Sequence, residues 1–77
     1  MARKAVSDEF KIFSERLSQL MREKGLKQKN LADELGVKRQ TVSLYMTGQS
    51  MPDAEQLKNI AVFFDVSADW LLGISNT

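Results

Sequence analysis

The sequence predicts an all-α fold, a compact domain of five short helices. Three observations carry that prediction. Apolar residues recur at spacings of three and four, the period of a helix, and nowhere alternate as a strand would. Each apolar stripe is closed by a residue that tolerates the left-handed conformation, Gly in four cases and Asp in one. The chain has 77 residues, 43% of them apolar, and no cysteine, which suits one small core held without disulfides.

The first helix is expected over about residues 8–24, with Ser7 as cap, Asp8 and Glu9 in its first turn, and Gly25 as its stop. Phe10, Phe13, Leu17, Leu20 and Met21 form its inner stripe. The second runs from about 28 to 35 on Leu31, Ala32 and Leu35 and closes at Gly36, with Leu26 and Val37 packing inward on either side. Some three residues later a third helix begins, about 39–47, burying Val42, Tyr45 and Met46 and stopping at Gly48. So short a Gly-containing turn makes the two helices cross steeply. Asp53 caps the fourth helix, and Gln56 is expected to complete a capping box. Leu57, Ile60, Ala61 and Phe64 make its stripe, and Asp65 ends it. Ser67 caps a fifth short helix with Leu71 and Leu72 inside, ended by Gly73. Residues 1–77 read as a single domain with its core at about 8–74 and loose ends at 1–6 and 75–77.

Composition excludes several classes. With neither histidine nor cysteine, the commonest general base and the commonest metal ligands are missing. Asp33, Glu34, Asp53 and Asp69 have no base, nucleophile or ligand to work with, so no enzyme, metal or cofactor is expected. No small-molecule ligand is evident. No apolar run approaches the roughly 18 residues of a membrane span, and the opening MARKAVSDEF lacks the apolar stretch of a signal peptide. A cytoplasmic protein is expected.

The net charge is only +1, but its distribution is lopsided. Residues 1–41 hold ten Lys/Arg against six Asp/Glu, leaving +4; residues 42–77 hold one Lys against four acids, leaving −3. One side of the molecule is thereby suited to a polyanion. The cations also stand in an unusual place. Lys38 and Arg39 open the third helix, and Lys27 and Lys29 open the second. A helix start carries about half a positive charge, so cations there cost a few tenths of a kcal/mol, and Ser, Thr, Asp or Asn is the usual cap. The arrangement makes sense if a phosphate occupies each helix start in the working state. Opposite the buried stripe of the third helix lie Gln40, Ser43, Leu44 and Thr47, with Arg39 and Thr41 at the edges, a face without a single acid.

These residues resemble the lambda-repressor-like helix-turn-helix family, the Cro/repressor or XRE type. The resemblance covers roughly residues 10–73. It rests on Leu26-Lys27-Gln28, Leu31-Ala32, Leu35-Gly36-Val37, Thr41-Val42-Ser43, Tyr45, Gly48, Pro52, Leu57, Ile60-Ala61 and the closing Val66-Ser67-Ala68-Asp69-Trp70-Leu71-Leu72-Gly73. It implies a five-helix DNA-binding domain whose residues 39–47 enter the major groove of a double-stranded operator. By position, it makes Lys38, Arg39, Gln40, Ser43 and Leu44 base readers. It makes Lys27, Gln28, Lys29, Thr41, Thr47, Gln49 and Ser50 phosphate contacts. Arg39 suits a guanine, Gln40 an adenine and Leu44 a thymine methyl. The chain departs from the family in four ways. Lys27 and Lys38 stand where Ser or Thr is frequent, each lost cap costing roughly 1 kcal/mol. Met46 and Met21 replace a frequent Glu–basic pair, and Asp65 replaces a frequent Gly.

The implied function is a transcriptional regulator of the phage- or mobile-element-repressor kind, binding a palindromic operator as a dimer. Three other readings stay open: an antitoxin, a restriction–modification controller, and a protein-interaction adaptor on the same fold. Dimerisation is expected through Val62, Phe63, Trp70 and Ile74, with Trp70 turned outward. The alternative is that Phe63 and Trp70 cover the core of a monomer.

Overall fold

A computed structural model describes residues 4–76, with side chains from Phe10 onward. It contains α1 (Lys4–Lys24), α2 (Gln28–Leu35), α3 (Arg39–Thr47), α4 (Ala54–Phe64) and α5 (Ala68–Leu72), and no strand among the described residues. Four of the five helices begin and end where the caps predict.

The exception is the start of α1. The helix begins at Lys4, so Ser7 lies inside it instead of capping it, and Asp8 and Glu9 fall in its second turn. Lengthening an existing helix adds one hydrogen bond per residue without a new nucleus, and Lys4 and Ala5 are good helix formers. Of the expected loose ends, residues 1–3 and 77 lie outside the described residues. Ser75 is tied down: its N–H donates to the Asp69 carbonyl at 3.3 Å, and its own carbonyl accepts from Arg16 Nη1 at 3.3 Å.

α1 packs against α3 and α5, α2 against α3 and α4, and α4 against α5. Phe13, Leu17, Leu20 and Met21 supply the α1 side of the core. They meet Leu31, Ala32 and Leu35 of α2, Val42 and Tyr45 of α3, Ile60, Ala61 and Phe64 of α4, and Leu71 of α5. Phe13 meets the Tyr45 ring edge-on, with centroids 6.2 Å apart, a favoured geometry that fixes α3 on α1. Met46, Leu26 and Val37 pack on the same core from its margin.

Two close approaches set the helix ends. Gly48, at φ 78°, closes α3 directly over α1; a Cβ there would sit 3.5 Å from Ser14 Oγ. Ser14 is itself buried, and its hydroxyl donates to the Lys11 carbonyl at 2.9 Å. At Gly73, with φ 79°, a Cβ would come within 2.8 Å of Ile12 Cγ2, so any other residue there would strain the backbone and displace the Ile12 side chain of α1.

The capping box expected at α4 forms only by half. Asp53 Oδ1 accepts from the Gln56 N–H at 2.9 Å. The Gln56 side chain, however, does not reach back. Its Nε2 donates to the Leu35 carbonyl at 3.2 Å, satisfying one of the orphan carbonyls at the end of α2 and fastening α4 to α2.

Candidate nucleic-acid interface

α2 ends at Gly36, whose φ of 71° turns the chain left-handed, and the Val37 N–H returns to the Ala32 carbonyl at 3.0 Å. Val37 thereby plugs the space between the helices, and α3 starts one residue beyond Lys38. Val42 and Tyr45 point inward from α3. Arg39, Gln40, Leu44 and Thr47 are exposed on its other side, while Thr41 and Ser43 are half-buried at the edges. The surface expected from the periodicity is found, except that Ser43, expected within the face, lies half-buried at its margin and Arg39, expected at the margin, is exposed.

The helix starts divide into two kinds. Asp53 and Ser67 bond the third backbone N–H of α4 and α5, at 2.9 and 3.0 Å. Lys38, at the head of α3, makes no such side-chain bond, nor does Lys27 at the head of α2. An ammonium has three donors and no acceptor, so it cannot cap. Both lysines are exposed. The start of α2 has a partial substitute that the sequence reading missed: Asn30 Oδ1 accepts from the Lys27 backbone N–H at 2.9 Å. Its signal was present, an amide three residues after the cap, as in a capping box.

The remaining candidates lie at the start of α2 and at the end of α3. Gln28, the first residue of α2, is half-buried, and Lys29 beside it is exposed. In the loop after α3, Gln49 Nε2 donates to Thr47 Oγ1 at 3.1 Å, and that hydroxyl donates to the Leu44 carbonyl at 3.3 Å. The Gln49 and Ser50 N–H groups donate to the same carbonyl at 3.0 and 3.3 Å. The loop is thus bound to the last turn of α3. Beneath it, burial raises the Tyr45 hydroxyl above its ordinary pKa, with the negative charge of Asp53 adding to the shift.

On the acidic half, Val62 and Ile74 are 70% and 72% exposed, and Phe63 is 39% exposed with its ring edge-on to Phe64. Trp70 departs from the expected outward position. It is half-buried on the core, and the Arg16 guanidinium stacks 4.8 Å from its ring centroid. Arg16 also donates to the Trp70 carbonyl. A cleft of about 370 Å³ between α2 and α4 is lined by Glu34, Leu35, Lys58, Asn59, Val62 and Phe63. Among the described residues no cluster of acids is arranged to hold a metal ion, and no helix is long and apolar enough to cross a membrane.

The sequence pattern of the helix-turn-helix family matches residues 17–71. An HTH-type transcriptional regulator of Bacillus subtilis (strain 168), YqaE, is 44% identical over 66 residues, covering 84% of this chain and 57% of that protein. The HTH-type transcriptional activator BcrR of Enterococcus faecalis is 43% identical over 60 residues, covering 78% of this chain and 29% of that protein. A transcriptional regulator from Listeria innocua, known as a crystal structure, superposes with a TM-score of 0.77 at 44% identity, covering 79% of this chain and 57% of that one. The chain therefore spans little more than half the length of these relatives, and less of BcrR.

Proposed function

The chain belongs to the helix-turn-helix family, XRE type, and from that membership we propose that it is the DNA-reading domain of a transcriptional regulator. α3 lies in the major groove. Arg39, Gln40, Ser43 and Leu44 read base edges, and Lys38 at their head holds a phosphate. Lys27, Gln28, Lys29, Thr41, Thr47, Gln49 and Ser50 hold phosphates. No catalytic step is assigned to it. The observation that carries the reading is the contrast between helix starts. The heads of α4 and α5 are capped by Asp53 and Ser67, whereas the heads of α2 and α3 carry Lys27 and Lys38 with no cap bond from either side chain. A lysine there weakens the isolated helix and strengthens a helix lying on a phosphate.

One recognition helix reads only a few base pairs, so the working unit is a dimer on a palindromic operator with half-sites about one helical turn apart. The exposed Val62, Phe63 and Ile74 supply its contact, with Trp70 at their edge. The regulator is of the phage- or mobile-element-repressor kind and works in the cytoplasm. BcrR, an activator by name, favours a second reading in which the bound domain recruits transcription instead of blocking it. The deciding experiment is in vitro selection from random duplex DNA, with retention followed against salt. A recovered palindrome and a steep loss of binding with salt support the proposal. Absence of salt-dependent DNA binding overturns it in favour of an adaptor. Placing the recovered site at a promoter then separates repression from activation.

A further inference from the structure

We propose that Leu44 reads the C5-methyl group of one pyrimidine in the major groove, a group presented by thymine and equally by 5-methylcytosine. The proposal rests on the base-reading role of α3 given above. Among the described residues the large apolar side chains left exposed are Leu44, Val62, Phe63 and Ile74. The last three lie on α4 and beyond α5. Leu44 alone stands on the helix-turn-helix, 41% exposed, among Arg39, Gln40, Ser43 and Thr47 on a face that carries no acid. Every other exposed side chain of that face can bond to a base edge or a phosphate; Leu44 can bond to neither. The single apolar group that any base displays in the major groove is the pyrimidine C5-methyl. Unmodified cytosine and both purines lack it.

The position is also held still, as a methyl contact requires. The Leu44 carbonyl accepts from the Gln49 N–H, the Ser50 N–H and the Thr47 hydroxyl at 3.0, 3.3 and 3.3 Å. These bonds tie the backbone at Leu44 to the loop that follows and oppose fraying of the last turn of α3. Adding a methyl to cytosine changes neither its pairing nor its Watson–Crick edge, so a methyltransferase acting at the site would change affinity through the side chain that meets the methyl.

The test starts from the half-site recovered by selection. At each thymine in turn, deoxyuridine is substituted, which removes only the methyl; at each cytosine in turn, 5-methylcytosine is substituted, which adds it. Dissociation constants are measured for the wild type and for Leu44→Ala, whose folding is checked by its melting temperature. One position is expected at which the methyl tightens wild-type binding about fourfold, the worth of one such group taken out of water. That dependence should vanish in Leu44→Ala. Response to deoxyuridine identifies the source as thymine, and response to the added methyl identifies it as 5-methylcytosine. If no position depends on its methyl, or if the dependence persists in Leu44→Ala, the proposal is overturned, while binding that still depends on Arg39 and Gln40 leaves the base-reading role intact. If selection recovers no preferred sequence, that role falls and this proposal with it.

Discussion

Lys38→Ser should move stability and DNA affinity in opposite directions. The backbone of Lys38 has φ −78° and ψ 152°, and that of Ser67, which does cap its helix, has φ −81° and ψ 149°. A serine at position 38 thus inherits a cap geometry already in use in this chain, where the hydroxyl reaches the third N–H at 3.0 Å. The restored cap contributes about 1 kcal/mol, and removing a cation from the positive end of the helix dipole adds a few tenths more. For a domain of this size each kcal/mol raises the melting temperature by about 4–8 °C. On DNA the same change deletes one phosphate contact from each protomer. The slope of log affinity against log salt should flatten by about 0.9 per bound protomer, so that between 50 and 200 mM salt the variant loses roughly 3.5-fold less affinity than the wild type as a single copy and about 12-fold less as a dimer. Because the lost contact is not with a base, random and selected DNA should be weakened alike. Thermal unfolding gives the first number and fluorescence anisotropy across a salt series the second. A variant that melts no higher than the wild type would show that the serine does not cap. An unchanged salt slope would show that Lys38 is not on a phosphate.

Arg39→Ala and Gln40→Ala should each cost about 1–3 kcal/mol on the selected site and little on random DNA; equal losses on both would remove these residues from base reading. Val62→Arg and Ile74→Arg, at positions outside the core, should leave the melting temperature within the range of ordinary surface changes, about 0.5 kcal/mol. They should abolish two-copy, cooperative binding in sedimentation with operator DNA; retained cooperativity would place the interface elsewhere. The Tyr45 hydroxyl titrates higher in the folded chain than in the unfolded one. Its contribution to stability is therefore complete below pH of about 10, the unfolded value, and is lost as pH rises through the folded value. Denaturant unfolding at rising alkaline pH should show that loss in the wild type and less of it in Tyr45→Phe, and parallel curves would refute it.

The parts of this structure legible in the sequence are those decided by neighbours within four residues. Gly25, Gly36, Gly48, Asp65 and Gly73 all adopt the left-handed conformation expected of helix stops. Asp53 and Ser67 mark helix starts by bonds to N–H groups three residues on. The outer face of α3 follows from the period alone. What stayed hidden depends on partners far along the chain. Gln56 had the right spacing for a capping box, but a carbonyl 21 residues away, at Leu35, takes its side chain. Trp70 reads as outward on its own helix, yet Arg16, 54 residues earlier, lies over it. The same distance conceals Ser14, an ordinary polar residue of α1 until Gly48 closes against it. The cations at the heads of α2 and α3 were legible as an anomaly, because a misplaced charge is visible without knowing the fold. Which base each side chain meets is not, since that depends on the groove.

The division of α3 into two faces has a consequence for how such a protein can change. Val42 and Tyr45 hold the helix to the rest of the molecule, the exposed Arg39, Gln40 and Leu44 share none of that work, and the half-buried Ser43 stands at the margin. The two sets have no member in common, although they alternate along the same nine residues. Substitutions at 39, 40 and 44 can therefore be drawn almost freely, limited mainly by helix propensity, and those at 43 by the space at its half-buried position, while the scaffold keeps its stability. Under the proposed DNA-reading role, new operators become reachable by single steps through folded intermediates. The same four positions form a compact library for retargeting the domain in the laboratory.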